Sequence, residues 1–121
     1  MPSAERVEEF VARVERGEFV EAIDEFYSED AAMQENEQPP RVGREALVAN
    51  ERRVLAAFEK TRARCVRPVF AHGDHVVIRW RFEFSTADGR EIRLDELAYQ
   101  RWQGDRIAEE RFYYDPVQLR P

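Results

Sequence analysis

The sequence predicts an α+β domain, helical in its first half and a meander of strands in its second. Two observations carry this. Through Phe58 the apolar side chains recur at helical spacing, and from Arg62 onward they recur at every second position. The joints support it: the period-two runs are separated by Gly73-Asp74, Asp88-Gly89 and Gly104-Asp105, short turns with the glycine that tight hairpins need.

Taken in order, Ala4, Val7, Phe10, Val11 and Val14 trace one face of a first helix, with Ser3 placed to cap it. Gly17 interrupts the pattern, and Phe19, Val20, Ile23, Phe26 and Tyr27 resume it, which predicts two short helices rather than one long one. Ser28-Glu29-Asp30 is expected to end the second, followed by a short strand over 31–35. Gln38-Pro39-Pro40 reads as extended loop, because proline continues neither kind of element there. After Gly43 a third helix is expected to bury Leu47, Val48, Val54, Leu55 and Phe58. Its opposite face (Arg44, Glu45, Glu51, Arg52 and Glu59) is expected to meet water.

The strands are predicted at 62–71, 76–85, 91–102 and 107–114. Alternation assigns their faces. Ile78, Trp80, Phe82 and Phe84 share one side of the second strand, opposite Arg79, Arg81 and Glu83. On the last, Glu110, Phe112 and Tyr114 alternate with Glu109, Arg111 and Tyr113. The third has apolar residues on both sides: Leu94, Glu96, Ala98, Gln100 and Trp102 against Asp95, Leu97, Tyr99 and Arg101. A sheet apolar on both faces calls for two covers, the helices and a second copy of the chain. A homodimer through the sheet is therefore expected.

At 121 residues, 43% of them apolar, the chain makes one domain, residues 1–121, that can bury a core without staples or metal. Its net charge is −6, with the basic residues scattered among acids, so it has no electrostatic footprint for nucleic acid or an anionic membrane. The single cysteine, Cys65, excludes an internal disulfide and the Cys-rich zinc patterns. No leader-like or membrane-spanning run appears, so a cytoplasmic location is expected, with no metal and no cofactor.

Several short stretches resemble a known family. Glu21-Ala22-Ile23, Tyr27, Asp30-Ala31, Gln38-Pro39-Pro40 and Gly43-Arg44-Glu45 look like the front half of ketosteroid isomerase and the SnoaL-like proteins. The closing Gly104-Asp105-Arg106-Ile107 and Tyr113-Tyr114-Asp115-Pro116 are similar to the SnoaL-like ending. These proteins belong to the nuclear-transport-factor-2-like superfamily. The resemblance implies a cone-shaped α+β domain, three helices packed on a strongly curved antiparallel sheet around an apolar pocket. It marks the fold better than the activity, because the fold hosts isomerases, cyclases, hydrolases and non-enzymatic domains.

Carried over, the isomerase's general-base aspartate falls at Glu35, its oxyanion-hole tyrosine at Phe10 and its protonated aspartate at Ala98. Both oxyanion donors are then missing, and each such donor typically contributes about 2.7–4 kcal/mol to a transition state. Classical ketosteroid isomerisation is not expected. The epoxide-hydrolase variant's last-strand aspartate falls at Phe112, leaving Arg93-Leu94-Asp95 as a partial echo of its triad. The same register turns Glu96, Ala98, Gln100 and Trp102 inward, with Ala63 and Cys65 on the first long strand.

The expected chemistry is proton transfer on a small hydrophobic molecule by an isomerase, cyclase, lyase or hydrolase; the alternative is a domain that only binds such a ligand or dimerises. Glu35, Glu96 and Glu110 are the candidate acids and bases, because carboxylates in an apolar chamber hold protons near neutral pH. Tyr114 and Gln100 are candidate neutral donors. The expected wall comprises Phe10, Met33, Phe58, Cys65, Ile78, Trp80, Phe82, Ala98, Trp102 and Phe112. Cys65 itself reads as an inert buried thiol and His72 and His75 as solvated turn residues. Asp115 reads as a cap at the strand exit or the partner of a nearby arginine, and Arg79, Arg81, Arg93, Arg101 and Arg111 as an outer cross-strand ion ladder or a dimer contact.

Overall fold

Ser3 starts the first helix by accepting a hydrogen bond from the Arg6 N–H at 3.0 Å, which satisfies one of the free donors at its end. The computed structural model describes residues 1–120. Helix α1 (Ala4–Glu15) buries Val7, Phe10, Val11 and Val14, and α2 (Phe19–Phe26) buries Phe19, Ala22, Ile23 and Phe26. Between them Gly17 adopts φ +82°, a conformation side chains resist. The second helix stops at Phe26, earlier than residues 28–30 suggested. Tyr27 is already extended and pairs with Ile107 across the sheet, so strand β1 (Tyr27–Glu35) claims the segment from its first residue.

Strand β2 (Arg41–Val42) is a pairing the sequence did not announce; it folds back antiparallel on Ala32 and Met33 of β1. Helix α3 (Arg44–Ala56) follows Gly43 and ends before Phe58 and Glu59, which lie beyond it rather than on it. The long strands are β3 (Lys60–His72), β4 (His75–Ser85), β5 (Glu91–Gln103) and β6 (Arg106–Tyr113), within two residues of the predicted bounds. A short 3-10 helix, Pro116–Leu119, closes the described chain. Asp115 caps it by accepting from the Val117 N–H at 3.0 Å.

The six strands form one curved, unclosed sheet in the order β2-β1-β6-β5-β4-β3. It is mixed rather than wholly antiparallel, because β1 runs parallel to β6 and every other pairing is antiparallel. The three helices pack on its concave side. Phe10 joins the two layers, meeting Phe26, Tyr27 and Trp102 edge-on at 5.4, 6.0 and 6.2 Å between ring centres. Burying each such large apolar side chain stabilises the fold by about 1.5–3 kcal/mol.

The convex side carries part of the predicted ladder. Arg79 holds Asp95 in a forked pair at 2.9 and 2.6 Å, Arg81 lies 3.6 Å from the same carboxylate, and Arg101 reaches Glu109 across strands at 3.1 Å. Two arginines depart from it. Arg93 pairs along its own strand with Glu91, and Arg111 donates to the Asn36 carbonyl oxygen while lying over the Tyr113 ring. Leu97, Tyr99 and Tyr113 stand exposed among these pairs. No described helix is long and apolar enough to cross a membrane.

Candidate functional site: a carboxylate-lined inner chamber

Trp102 can only donate through its indole nitrogen, and this fixes the geometry around Glu110. Its Nε1–H donates to Gln100 Oε1 at 2.9 Å, so the Gln100 amide nitrogen must face the other way. There Nε2 donates to Glu110 Oε2 at 2.7 Å, and the Tyr27 hydroxyl donates to Glu110 Oε1. Register makes the contacts possible: Gln100 and Glu110 are direct partners across β5 and β6. Tyr27 sits beyond a register shift between Tyr27 and Ala32 in the β1–β6 pairing. Glu110 is 3% exposed. Burial pushes its carboxyl up to about 7, although both donors favour the charged form and pull against that. Tyr27 keeps its proton well beyond the usual tyrosine range, through burial first and the Glu110 charge second.

Glu96 projects from the same face of β5 and is only 6% exposed. Among the described residues nothing donates a hydrogen bond to it and no cation pairs with it. Burial, and then the negative charges of Glu110, Glu35 and Glu51, raise it to about 8. The Glu110 charge helps to hold the proton on Glu96, so the pair gives up its protons in steps rather than together. Glu35 lies at the end of β1, level with Phe112, and accepts from the Tyr114 hydroxyl at 2.9 Å. That hydroxyl is harder to ionise than usual, mainly through burial and then through Glu35.

Between helices and sheet a chamber of about 70 Å³ remains open. Of the predicted wall it is bounded by Phe10, Met33, Trp80, Phe82 and Phe112, together with Glu110. Ile78, Ala98, Gln100 and Trp102 share the inward face but are packed out of its reach, with exposures of 0 or 1%. Phe58 sits instead against Phe84, their ring centres 4.7 Å apart. Cys65 is buried opposite Trp80, its thiol pushed up chiefly by burial, while its N–H donates to Glu15 at 3.1 Å. His72 and His75 flank their turn away from the chamber, and His75 meets Tyr99 edge-on.

The helical side of the wall was missed by period-two reasoning: Val14, Phe19, Ala22, Ile23, Tyr27 and Glu51 complete it. Glu51 is the consequential one. It was assigned to the solvated face of α3, yet it is partly buried, and burial and the Glu35 charge raise its carboxyl. The signal was present, since Leu47, Glu51 and Leu55 fall at four-residue spacing on one helical stripe. Charge had outweighed position.

Glu51 and Glu110 line the chamber, Glu96 and Glu35 lie within range of their charges, and no ion pair among the described residues uses any of the four. They do not converge on one point as metal ligands would: no described group of three or more such side chains has that geometry. A wider groove of about 420 Å³ lies on the convex side, along Ala32, Gln34, Tyr99, Arg101, Arg111 and Tyr113. It shares Met33 and Glu110 with the inner chamber but is also bordered by Arg101 and Arg111, so its acids stand beside cations.

The sequence profile of the SnoaL-like domain matches residues 7–110. The chain belongs to the SnoaL-like family. This SnoaL-like domain also superimposes on solved structures over nearly its whole length. A Mesorhizobium loti protein named as a SnoaL-like polyketide cyclase is 23% identical, with 94% of this chain and 100% of that one covered and a TM-score of 0.78. TerC, co-crystallised with polyporic acid, is 16% identical, with 95% and 92% covered and a TM-score of 0.80. A Catenulispora acidiphila protein with a ketosteroid-isomerase-like fold, in complex with trimethylamine, is 19% identical, with 93% and 87% covered and a TM-score of 0.78. At such identities the likeness establishes the fold alone. No functionally curated protein matches the SnoaL-like chain.

Proposed function

We propose that this SnoaL-like domain is a cofactor-independent enzyme that moves protons on a small, largely apolar molecule held in the inner chamber, as an isomerase, cyclase, lyase or hydrolase. One observation carries the reading: Glu110 and Glu96 are buried together without a cation, with ionisation raised to about 7 and about 8. A carboxylate base and a carboxylic acid are then both present near neutral pH, where each is most effective. Glu110 acts as the base, because it borders the open space. Tyr27 and Gln100 each donate to one of its oxygens and so fix its orientation. Glu96 delivers the proton. The pair formed by Glu35 and Tyr114 orients the substrate and supplies a second relay.

With Phe10 and Ala98 where the isomerase has its oxyanion donors, negative charge developing on the substrate is neutralised by transfer from Glu96 rather than held by fixed dipoles. The ligands named for TerC and for the Catenulispora protein support use of this fold as a small-molecule container. A second reading, binding without turnover, is favoured by the size of the chamber. Its 70 Å³ lies well below the roughly 300–1,000 Å³ of a pocket for a drug-sized molecule.

The experiment is carboxyl-carbon NMR across a pH titration with glutamate labelled. Two buried glutamates are expected to titrate above pH 6, assigned by loss of each signal in Glu96→Gln and Glu110→Gln. Titration of both near the ordinary glutamate value of 4.5 removes the basis of the enzyme reading. The same proposal includes a homodimer through the convex face, supported by the exposed Leu97, Tyr99 and Tyr113, which adjoin one another in the β5–β6 register.

A further inference from the structure

We propose that the inner chamber selects a small organic cation, an alkylammonium group held by Glu51 and Glu110 in the field of Glu96, the cross-strand partner of the lining Trp80, with its carbon substituents against Tyr27, Trp80 and Phe82. The inference rests on the reading above that this chamber is the ligand site, and it names the ligand's charge.

Charge balance is the first argument. Glu51 and Glu110 line the chamber with Glu96 and Glu35 within range of their charges, and among the described residues no lysine, arginine or histidine lines it. The guanidinium groups of Arg44 and Arg106, which reach the backbone of the lining Tyr27, both donate to its carbonyl oxygen, at 3.1 and 3.2 Å, and neither pairs with these acids. A fold that leaves buried carboxylates without a counter-ion bears a desolvation cost, which a cationic ligand relieves and a neutral one does not.

Glu96 is the second and independent argument. Its side chain is more than nine-tenths buried, and neither hydrogen bond nor ion pair is made to it among the described residues. Glu110, by contrast, has both oxygens engaged by Tyr27 and Gln100. One carboxylate is finished by the protein and its neighbour is left for something else.

The walls and size narrow the class. The other lining groups are chiefly aromatic, and ring faces attract ammonium groups through their quadrupoles. Inorganic divalent ions are disfavoured because the carboxylates do not converge with metal-ligand geometry. At roughly 10–15 Å³ per water-sized atom, 70 Å³ holds about five heavy atoms, the size of a fully methylated ammonium.

Proton linkage follows. The groups facing Glu96 are Glu110 on β6, Tyr114 just after it, Glu35 on β1 and Glu51 on α3; none is basic. A bound cation favours their ionised forms, so binding releases protons and tightens as pH rises through neutrality.

The test is calorimetric titration of the wild-type chain with alkylammonium chlorides from methyl- to tetramethylammonium, with tert-butanol as a neutral probe of similar shape. Each is run below and above neutral pH in buffers of different ionisation enthalpy. The expected result is an ammonium preference of about tenfold or more, proton release on binding, and loss of the preference in Glu96→Gln. Should that variant unfold, Glu51→Gln is expected to weaken the same preference. Equal binding of tert-butanol and ammonium overturns the cation while leaving the chamber as a binding site. Absence of ammonium binding, or binding that both variants leave intact, overturns it as well. The NMR titration of the empty chamber decides the proton-transfer reading separately.

Discussion

Gln100 has two polar ends, and Trp102 decides which of them Glu110 meets. Because the indole offers only a donor, the amide oxygen is committed to it and the amide nitrogen to the carboxylate. Gln100 was expected to offer a hydrogen bond to a ligand. With both ends engaged inside the protein, we now propose it as a positioning residue for Glu110. Gln100→Leu should strand the Trp102 N–H and one Glu110 oxygen, costing about 1–3 kcal/mol per stranded group in urea unfolding. It should also move the Glu110 titration further above about 7, because one hydrogen bond to the charged form is lost. A Glu110 titration unchanged in that variant means the amide does not set its ionisation. At this scale the sequence was readable in kind: alternation and resemblance nominated Glu96, Gln100 and Glu110 for the inward face. The chain of contacts from Trp102 through Gln100 to Glu110 and Tyr27 was not, because hydrogen-bond partners depend on side-chain distances across three strands.

Gly43 governs an element rather than a contact. Its φ of +100° turns the chain from β2 into α3, and its N–H and carbonyl join Ala31 of β1 to Leu47 of the helix at 2.8 and 3.0 Å. A Cβ there would meet nothing within 4 Å, so the cost of Gly43→Ala is purely conformational. A loss of about 1–3 kcal/mol is expected in thermal or urea unfolding. A loss of only a few tenths would show that the turn relaxes and that α3 is held by packing alone. Elements with long, clean periodicity were the legible ones, as the bounds of β3 to β6 illustrate. Strand β2 is two residues long and exists only because β1 offers it an edge, so no periodicity could reveal it. The early end of α2 has the same origin, since pairing of Tyr27 with Ile107 overrides a helical pattern that continues through Tyr27.

The whole molecule combines two opposite responses to pH. Exposed acids such as Glu8 and Asp95 are held below their usual values by hydrogen bonds from Arg67 and Arg79. Their contribution is present at neutral pH and lost as pH falls through those lowered values, and such surface pairs contribute little. Glu96 and Glu110 act in the reverse sense. Their folded values are raised, so between 4.5 and about 8 the folded chain binds more protons than the unfolded one and stability falls as pH rises. The effect is on the order of a few kcal/mol, and stability should be greatest in mildly acidic solution. Melting temperature followed across this range should decline, and Glu96→Gln should flatten much of the decline. A wild-type curve that is flat over the same interval contradicts the burial argument. The proposed dimer also belongs to this scale. Sedimentation should find a dimer at tens of micromolar that Tyr99→Asp converts to monomer; a monomeric wild type removes it.

The sequence by itself determined the class of this fold, the order of its helices and long strands, and the inward faces of the second and last long strands. Those depend on local periodicity and on glycines whose backbone requirements are met within a few residues. The resemblance to the SnoaL-like proteins was needed to orient the other two long strands. Only the tertiary structure decided that the sheet is mixed, that Glu51 belongs to the chamber, and that Glu96 lacks a partner where Glu110 has two. Each of these is a relation between segments far apart in the chain. Burial, which raises the ionisation of Glu96 and Glu110, arises only when helices and sheet close over them and exclude water.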